Sequence, residues 1–178
     1  MLSPPNTRPA RRPLLETARR GAVAGLTGSI VQAGVGYLID RALLPRGHNN
    51  NIAPRLSARF FQRTGRAPQP VRDWLFGAIF HELYGVGWGV LQALAADRLR
   101  IPPPFLAPPL TGLIYLFAFS RFGVGTLTGT ERHPDHRHRG KQASLLAVAA
   151  VFALATSLVL YGYEQQNARR SGEVAQQF

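Results

Sequence analysis

The sequence contains no cysteine and only one lysine, Lys141, among its 178 residues. The lack of cysteine excludes disulfides, thiolate nucleophiles, cysteine-ligated zinc and iron–sulfur clusters. Acidic residues are also scarce, since 9 Asp and Glu stand against 21 Lys and Arg and leave a formal net charge of +12. An excess of this kind is typical of proteins that bind either nucleic acid or an anionic membrane surface.

Long stretches without charge decide between these two partners. Residues 21–39 and 143–163 contain no charged residue, residues 74–96 are interrupted only by His81 and Glu82, and residues 105–127 contain only Arg121 near one end. A helix of about 19 residues spans roughly 28 Å, about the hydrocarbon thickness of a bilayer. The four segments predict an all-α integral membrane four-helix bundle, so the expected partners are the lipid bilayer and anionic headgroups rather than nucleic acid.

The chain divides into three parts around these spans. Residues 1–20 form a basic lead rich in proline and arginine, residues 21–163 form the transmembrane domain, and residues 164–178 form a polar tail. A basic lead before an apolar run also describes a signal peptide, but the first span is longer than the usual apolar region of such peptides, which favours an uncleaved anchor. An even number of spans places both termini on one side, and the first span favours the cytoplasmic side.

The connector between the first two spans predicts a basic amphipathic helix. Apolar residues recur at helical spacing at Ile52, Leu56 and Phe60, and the sequence continues to Gly65, which is suited to end a helix. Arginines form a neighbouring stripe at Arg55, Arg59 and Arg63. We expect this helix to lie in the headgroup plane with these arginines as candidate contacts for lipid phosphates. The alternative is a connector helix that packs on the protein itself.

Polar residues within the predicted spans are functional candidates because burying them in a membrane is costly. These residues are Gln32, His81, Glu82 and Arg121. Glu82 requires a proton or a cation, and we expect a buried pair with Arg121. One interpretation is a proton or cation relay through Glu82 and His81, and the other is structural hydrogen bonding between helices.

Glycines recur along one side of each of the first two spans. Small residues at this spacing allow two helices to approach closely in a membrane. The candidate packing positions are Gly25, Gly28, Gly36, Gly77, Gly85 and Gly89. We therefore expect the first and second spans to pack against each other, with His81 beside their contact.

The connector before the last span is rich in histidine. Its imidazole and carboxylate groups are weak candidates for a metal site, because the neighbouring arginines disfavour a cation. These candidates are His133, Asp135, His136 and His138. The HELYG string that begins at His81 lacks the second histidine of a zinc-protease helix. We therefore predict no metal, no cofactor and no catalytic residue.

Several fragments resemble the YagU-like family of small bacterial inner-membrane proteins. They are the LLPRGHNNNIAP exit from the glycine-rich first span at residues 43–54, the HELYG span, and the SRFGVG end of the third span. The resemblance covers about residues 20–163. It implies a multi-pass protein of the bacterial inner (plasma) membrane and supplies no catalytic residue.

Three functions remain open for such a chain. The first is a non-catalytic accessory or structural protein that assembles, as a homo-oligomer or in a larger complex, through its small-residue helix faces. The second is a small proton- or ion-coupled transporter that uses His81, Glu82 and Arg121, as an oligomer because four helices enclose little room. The third is a membrane-embedded enzyme acting on lipids, with His81 as general base. We expect the first, and we expect the protein not to be an enzyme.

Overall fold

The computed structural model describes residues 12–45 and 52–175 and is all-helical, with no strand in that part of the chain. The helices are α1 (Leu14–Leu43), α2 (Ala53–Arg63), α3 (Pro70–Leu99), α4 (Pro103–Phe119), α5 (Val124–Leu127) and α6 (Arg139–Ala175), with a 3₁₀ turn at Pro134–His136. The four long helices α1, α3, α4 and α6 run up and down in turn. Helix α2 and the segment from α5 to the 3₁₀ turn connect them at one end.

The four long helices pack in the order α3, α1, α6, α4, so α1 and α6 form the centre. Helix α1 packs along both α3 and α6, and α4 packs on α6 but makes only a limited contact with α3. The apolar core between α4 and α6 contains Ala107, Leu110 and Ile114 against Ala149 and Phe152. The pair α3 and α4 is therefore the most weakly closed side of the bundle.

Glycines bring α1 and α3 into backbone contact. A Cβ added at Gly89 would lie 2.5 Å from the Cα of Gly25, and a Cβ at Gly25 would overlap the carbonyl oxygen of Gly85. Real Cβ atoms do not approach backbone atoms so closely, so these positions require glycine unless the helices separate. Gly28 plays the same part toward α6, where an added Cβ would meet Thr156 and Phe152.

Three helical segments are long and apolar enough to cross a membrane: Leu14–Leu43, Pro103–Leu127 and Arg139–Arg169. They contain the predicted spans 21–39, 105–127 and 143–163, and they indicate a membrane protein. The predicted span 74–96 lies within α3, which is as long as α1 but falls outside this set. Glycines, tryptophans, His81 and Glu82 lower the mean hydropathy of α3.

The ends of the helices differ from the predicted boundaries. Helix α1 begins at Leu14, within the predicted lead, and α6 continues to Ala175, through most of the predicted polar tail. The predicted third span is not one continuous helix, because the chain turns between Phe119 and Val124 before the short α5. An added Cβ at Gly123 would lie 2.8 Å from backbone atoms of Phe119, so the turn folds tightly against the end of α4.

The predicted amphipathic helix is α2, and it packs on the protein through the face next to the apolar stripe of Ile52, Leu56 and Phe60. Its buried residues are Ala53, Ser57 and Phe61, while Phe60 is 63% exposed. The helix lies on α3, where the Phe61 ring is 5.0 Å from the Phe76 ring, centroid to centroid. Arg72 of α3 stacks over the same ring at 4.0 Å. Adjacent helical residues point about 100° apart, so Phe60 points away from the contact that Phe61 makes with α3.

The glycine contact gives a test in which two neighbouring glycines respond differently. Gly89→Ala should lower the melting temperature in detergent by several degrees, because α1 and α3 must separate to admit the Cβ. Gly87→Ala on the same helix faces open space and should leave the melting temperature unchanged or raise it slightly, since alanine favours a helix by roughly 0.5–1 kcal/mol over glycine. Tryptophan fluorescence during heating measures both. Equal effects of the two substitutions would contradict a backbone contact at Gly89.

Candidate functional site: a cavity within the bundle

The bundle contains a cavity of about 960 Å³ in the half that faces α2 and α5. Its walls come from the second half of α1, the first half of α3, the second half of α4 and the first half of α6, and α2 and Val124 form its roof. Pockets of roughly 300–1,000 Å³ hold drug-sized molecules. The described part of the chain therefore contains a cavity of this size, which is partly open to the surface of the bundle.

Most of the cavity wall is apolar and aromatic. Phe80 and Tyr84 of α3 and Phe117 of α4 line it, and the rings of Tyr84 and Phe117 stack at 6.3 Å between centroids. Trp88, next to the cavity on α3, meets the Phe117 ring edge to face at 6.0 Å. These aromatic contacts close the narrow passage between α3 and α4, the side of the bundle where the helices touch least.

Three polar groups in the wall have unsatisfied hydrogen-bonding atoms. His81 Nε2, Glu82 Oε2 and Ser29 Oγ are buried and have no hydrogen-bond partner among the described residues. The imidazole of His81 also lies within hydrogen-bonding range of the Ser29 backbone, which orients it toward α1. An unsatisfied buried polar atom costs about 1–3 kcal/mol, so atoms of this kind in a roomy cavity mark a place where water or a ligand binds.

Two carboxylates are the only formally charged side chains among the described residues that line the cavity. Glu82 comes from α3 and makes no ion pair with any described residue, and Asp40 comes from α1 and accepts a hydrogen bond from Ser144 Oγ at 2.6 Å. No lysine or arginine belongs to this lining. In a chain of net charge +12, the cavity is thus an acidic region within a basic protein.

Arg121 does not pair with Glu82, which corrects the pairing expected from the sequence. It lies in the turn beyond α4, its side chain is 62% exposed, and it contacts Asp135 at 3.2 Å. The prediction failed because the helix of the third span ends at Phe119 and leaves Arg121 outside it. The predicted candidate Gln32, by contrast, lines the cavity with His81 and Glu82.

The glycines singled out from the sequence divide between two places. Gly25, Gly28, Gly85 and Gly89 lie at the helix contacts described above. Gly36 and Gly77 line the cavity, as Gly85 also does at its inner end, and Gly77 lies under α2, where an added Cβ would be 2.6 Å from the Pro54 nitrogen. The close approach of α2 to α3 at Gly77 positions the roof of the cavity.

A buried carboxylate fastens the roof to the rest of the bundle. Glu131 is 5% exposed and pairs with Arg55 of α2 and Lys141 of α6, each at 2.7 Å. Arg59 donates to the Thr128 carbonyl at 2.9 Å. Arg55 and Arg59 therefore bind the protein's own connector, and Arg63 of the same stripe lies exposed without a described contact to it. The predicted contact of these three arginines with lipid phosphates stays a prediction.

The histidine-rich connector lies outside the cavity. His133 Nδ1 is 3.2 Å from Asp135, and the rings of His133 and His136 are 6.0 Å apart. His138 accepts a hydrogen bond from the Gly140 backbone. Among the residues that the structure describes, no group of three or more His, Asp or Glu side chains converges in a way that would hold a metal ion.

Sequence reasoning missed Asp40, Glu131 and the aromatic wall. Asp40 directly follows the predicted first span and so falls in the predicted connector, but α1 continues beyond it to Leu43. No local pattern indicates the burial of Glu131, because it depends on ion pairs with Arg55 of α2 and Lys141 of α6. Phe80 and Phe117 are indistinguishable from lipid-facing residues in a helix that is apolar on all sides.

Comparison of the chain with family models, with curated proteins and with solved structures found no match. The resemblance to the YagU-like family therefore stays a prediction. The geometry of the cavity is therefore the feature that indicates a function.

The roof makes a second testable prediction. Arg55→Met should destabilise the protein by about 1–3 kcal/mol, because it leaves a buried carboxylate with only one cation and the lost pair is partly exposed. Arg63→Met removes the same charge from the same helix and should have little effect. Chemical denaturation in detergent measures both, and equal stability of the two variants would contradict the structural role of the Arg55–Glu131 pair.

Proposed function

We propose that this chain is a four-span membrane protein that transports a small molecule through its internal cavity, with proton exchange at Glu82 and His81. The observation that carries the proposal is a large cavity in one half of the bundle whose wall contains buried, unsatisfied His81 and Glu82 atoms. Buried ionisable groups of this kind within membrane spans mark substrate or proton pathways.

The packing of α3 supports a fourth span. Helix α3 runs antiparallel to α1 for its whole length and has the same number of residues, 30. If α1 crosses the bilayer, α3 crosses it too, because the glycine contacts hold the two backbones together. The polar residues that lower its hydropathy, His81 and Glu82, line the cavity and so are shielded from lipid. With four spans, the start of α1 and the end of α6 lie on the same side of the membrane. The resemblance implies that this membrane is the bacterial inner membrane.

The two halves of the bundle differ in a way that suits alternating access. The half that contains the glycine contact is closely packed, with Ala24 and Ala93 at most 5% exposed. The other half holds the cavity. In transporters, a central site is exposed to one side at a time by movement of one group of helices against another. The weak contact between α3 and α4 provides a side along which such a movement costs few interactions.

Proton exchange is assigned to Glu82 because of the groups that surround it. His81 and Tyr84 accompany it on α3, and Asp40 and Tyr37 face the cavity from α1. The described lining residues of α2, α4, α5 and α6 are apolar and contribute no titratable side chain. A proton or a cation bound by the Glu82 carboxylate offsets the cost of desolvating it, so binding there biases the equilibrium between the closed and open states.

The two other functions receive less support from the geometry. The accessory interpretation relied on small-residue faces available to partners, but these faces are used within the chain at the α1–α3 and α1–α6 contacts. The enzyme interpretation requires an activated nucleophile, and Ser29 Oγ and His81 Nε2 do not hydrogen-bond to each other. Both interpretations stay untested predictions.

The absence of native cysteine allows a direct test with single-cysteine variants and a membrane-impermeant maleimide. Ala78→Cys and Ala118→Cys report on the cavity, Ala93→Cys reports on the packed half, and Leu158→Cys on the outer surface of α6 is the lipid-facing control. In sealed vesicles, the cavity positions should be labelled from one side. Lowering the pH from about 8 to about 6, which favours protonated carboxylates and imidazoles, should increase labelling of Ala93→Cys from the opposite side.

The same labelling in a Glu82→Gln background decides the role of the carboxylate. We expect the pH dependence to be lost there, because glutamine is permanently neutral, and to persist in Asp135→Asn, which removes an exposed carboxylate. If Ala93→Cys stays as unreactive as Leu158→Cys at every pH while the cavity positions are labelled, the cavity is static and transport is wrong.

A further inference from the structure

We infer that the cavity binds amphipathic organic cations: molecules with one positive charge on a bulky apolar or aromatic body. This inference rests on the proposed function only in taking the cavity as the binding site. It names the chemical class of the ligand, which is determined by the charge, the shape and the composition of the wall.

The sign of the charge follows from the lining. Glu82 and Asp40 are carboxylates, and no described lining residue is lysine or arginine. The basic residues near the roof are already bound, since Arg55 and Lys141 pair with Glu131. An anion entering the cavity would meet the Glu82 carboxylate without a lysine or arginine to offset it among the described lining residues, whereas a cation would compensate that carboxylate.

The bulk of the ligand follows from the volume and the aromatic rings. A cavity of about 960 Å³ is far larger than a dehydrated metal ion or an ammonium ion requires, and its wall is mostly apolar. Phe80, Tyr84 and Phe117 add aromatic rings to the wall of the same cavity that Glu82 lines. Aromatic faces attract organic cations most strongly where water is excluded, and they also contact the apolar body of the ligand.

A metal ion fits the same wall poorly. The described residues include no cluster of three or more His, Asp or Glu side chains that could hold a metal ion, and a hard cation requires about six or more oxygen ligands that converge on one point. A lipid tail fits the apolar wall but gives no reason for the buried carboxylate. The combination of Glu82 with aromatic rings is what selects an organic cation over both.

Two probes of nearly identical size and opposite charge test the inference. Tetraphenylphosphonium and tetraphenylborate are titrated into the full-length protein in lipid nanodiscs, and binding to empty nanodiscs of the same lipid is subtracted. We expect saturable binding of tetraphenylphosphonium, at least about tenfold tighter than any binding of tetraphenylborate. Equal affinity for the two ions would overturn the inference, because the cavity would then be merely apolar.

Variants locate the binding and identify the responsible charge. Glu82→Gln should weaken tetraphenylphosphonium binding at least about tenfold, Glu82→Asp should retain most of it, and Asp135→Asn should match the wild type although it changes the net charge equally. Ala78→Phe, which narrows the cavity one helical turn from Glu82 without removing a charge, should weaken binding as well. If Glu82→Gln does not purify as a folded protein, the Glu82→Asp and Ala78→Phe results still decide. Unchanged binding in Ala78→Phe would place the cation outside the cavity and overturn the inference.

The binding and labelling experiments fail independently. Selective cation binding with static labelling would leave the ligand class intact and remove transport. Alternating labelling without a preference for tetraphenylphosphonium would leave transport intact and remove this ligand class.

Discussion

The close approach of α1 and α3 is the constraint on which the rest of the structure depends. Where Gly25 faces Gly85 and Gly89, the two backbones are in contact and admit no Cβ. Toward α2 the same pair of helices carries larger side chains, including Gln32, Tyr37 and His81, and the bundle widens. The four helices therefore form a wedge that is packed at one end and hollow at the other, and α2 and the α5 segment cover the hollow end.

This arrangement places stability and chemistry in different halves of the protein. The packed half contains small residues whose contacts hold the helices together through dispersion and backbone proximity. The hollow half retains polar atoms without partners at Ser29, His81 and Glu82, and each of them lowers stability unless water or a ligand satisfies it. The Glu131 pairs with Arg55 and Lys141 hold the roof over these groups, so the exposed connectors contribute to the site although they supply none of its polar groups.

The sequence predicted the helical fold and four membrane spans, and three of these lie in helical segments that are long and apolar enough to cross a membrane. It also predicted the helix between the first two long helices. These features follow from local hydropathy and helical spacing. The sequence also identified Gln32, His81 and Glu82 as polar residues within apolar segments. It could not predict the pairing of Arg121 with Asp135 or the burial of Glu131, since both depend on where α4 ends and how the connector folds back. The cavity itself results from the spacing of whole helices, which no local pattern encodes.

The central claim is that the hollow half of the bundle opens and closes by movement between α3 and α4, where the helices touch least. The most direct measurement is the distance between spin labels on the outer surfaces of α3 and α4 at the cavity end, at Leu75→Cys and Leu116→Cys, which are 50% and 58% exposed. The account predicts two distance populations whose ratio changes with pH and merges into one in the Glu82→Gln variant. A single narrow distribution that is identical at every pH, and in that variant, would contradict it.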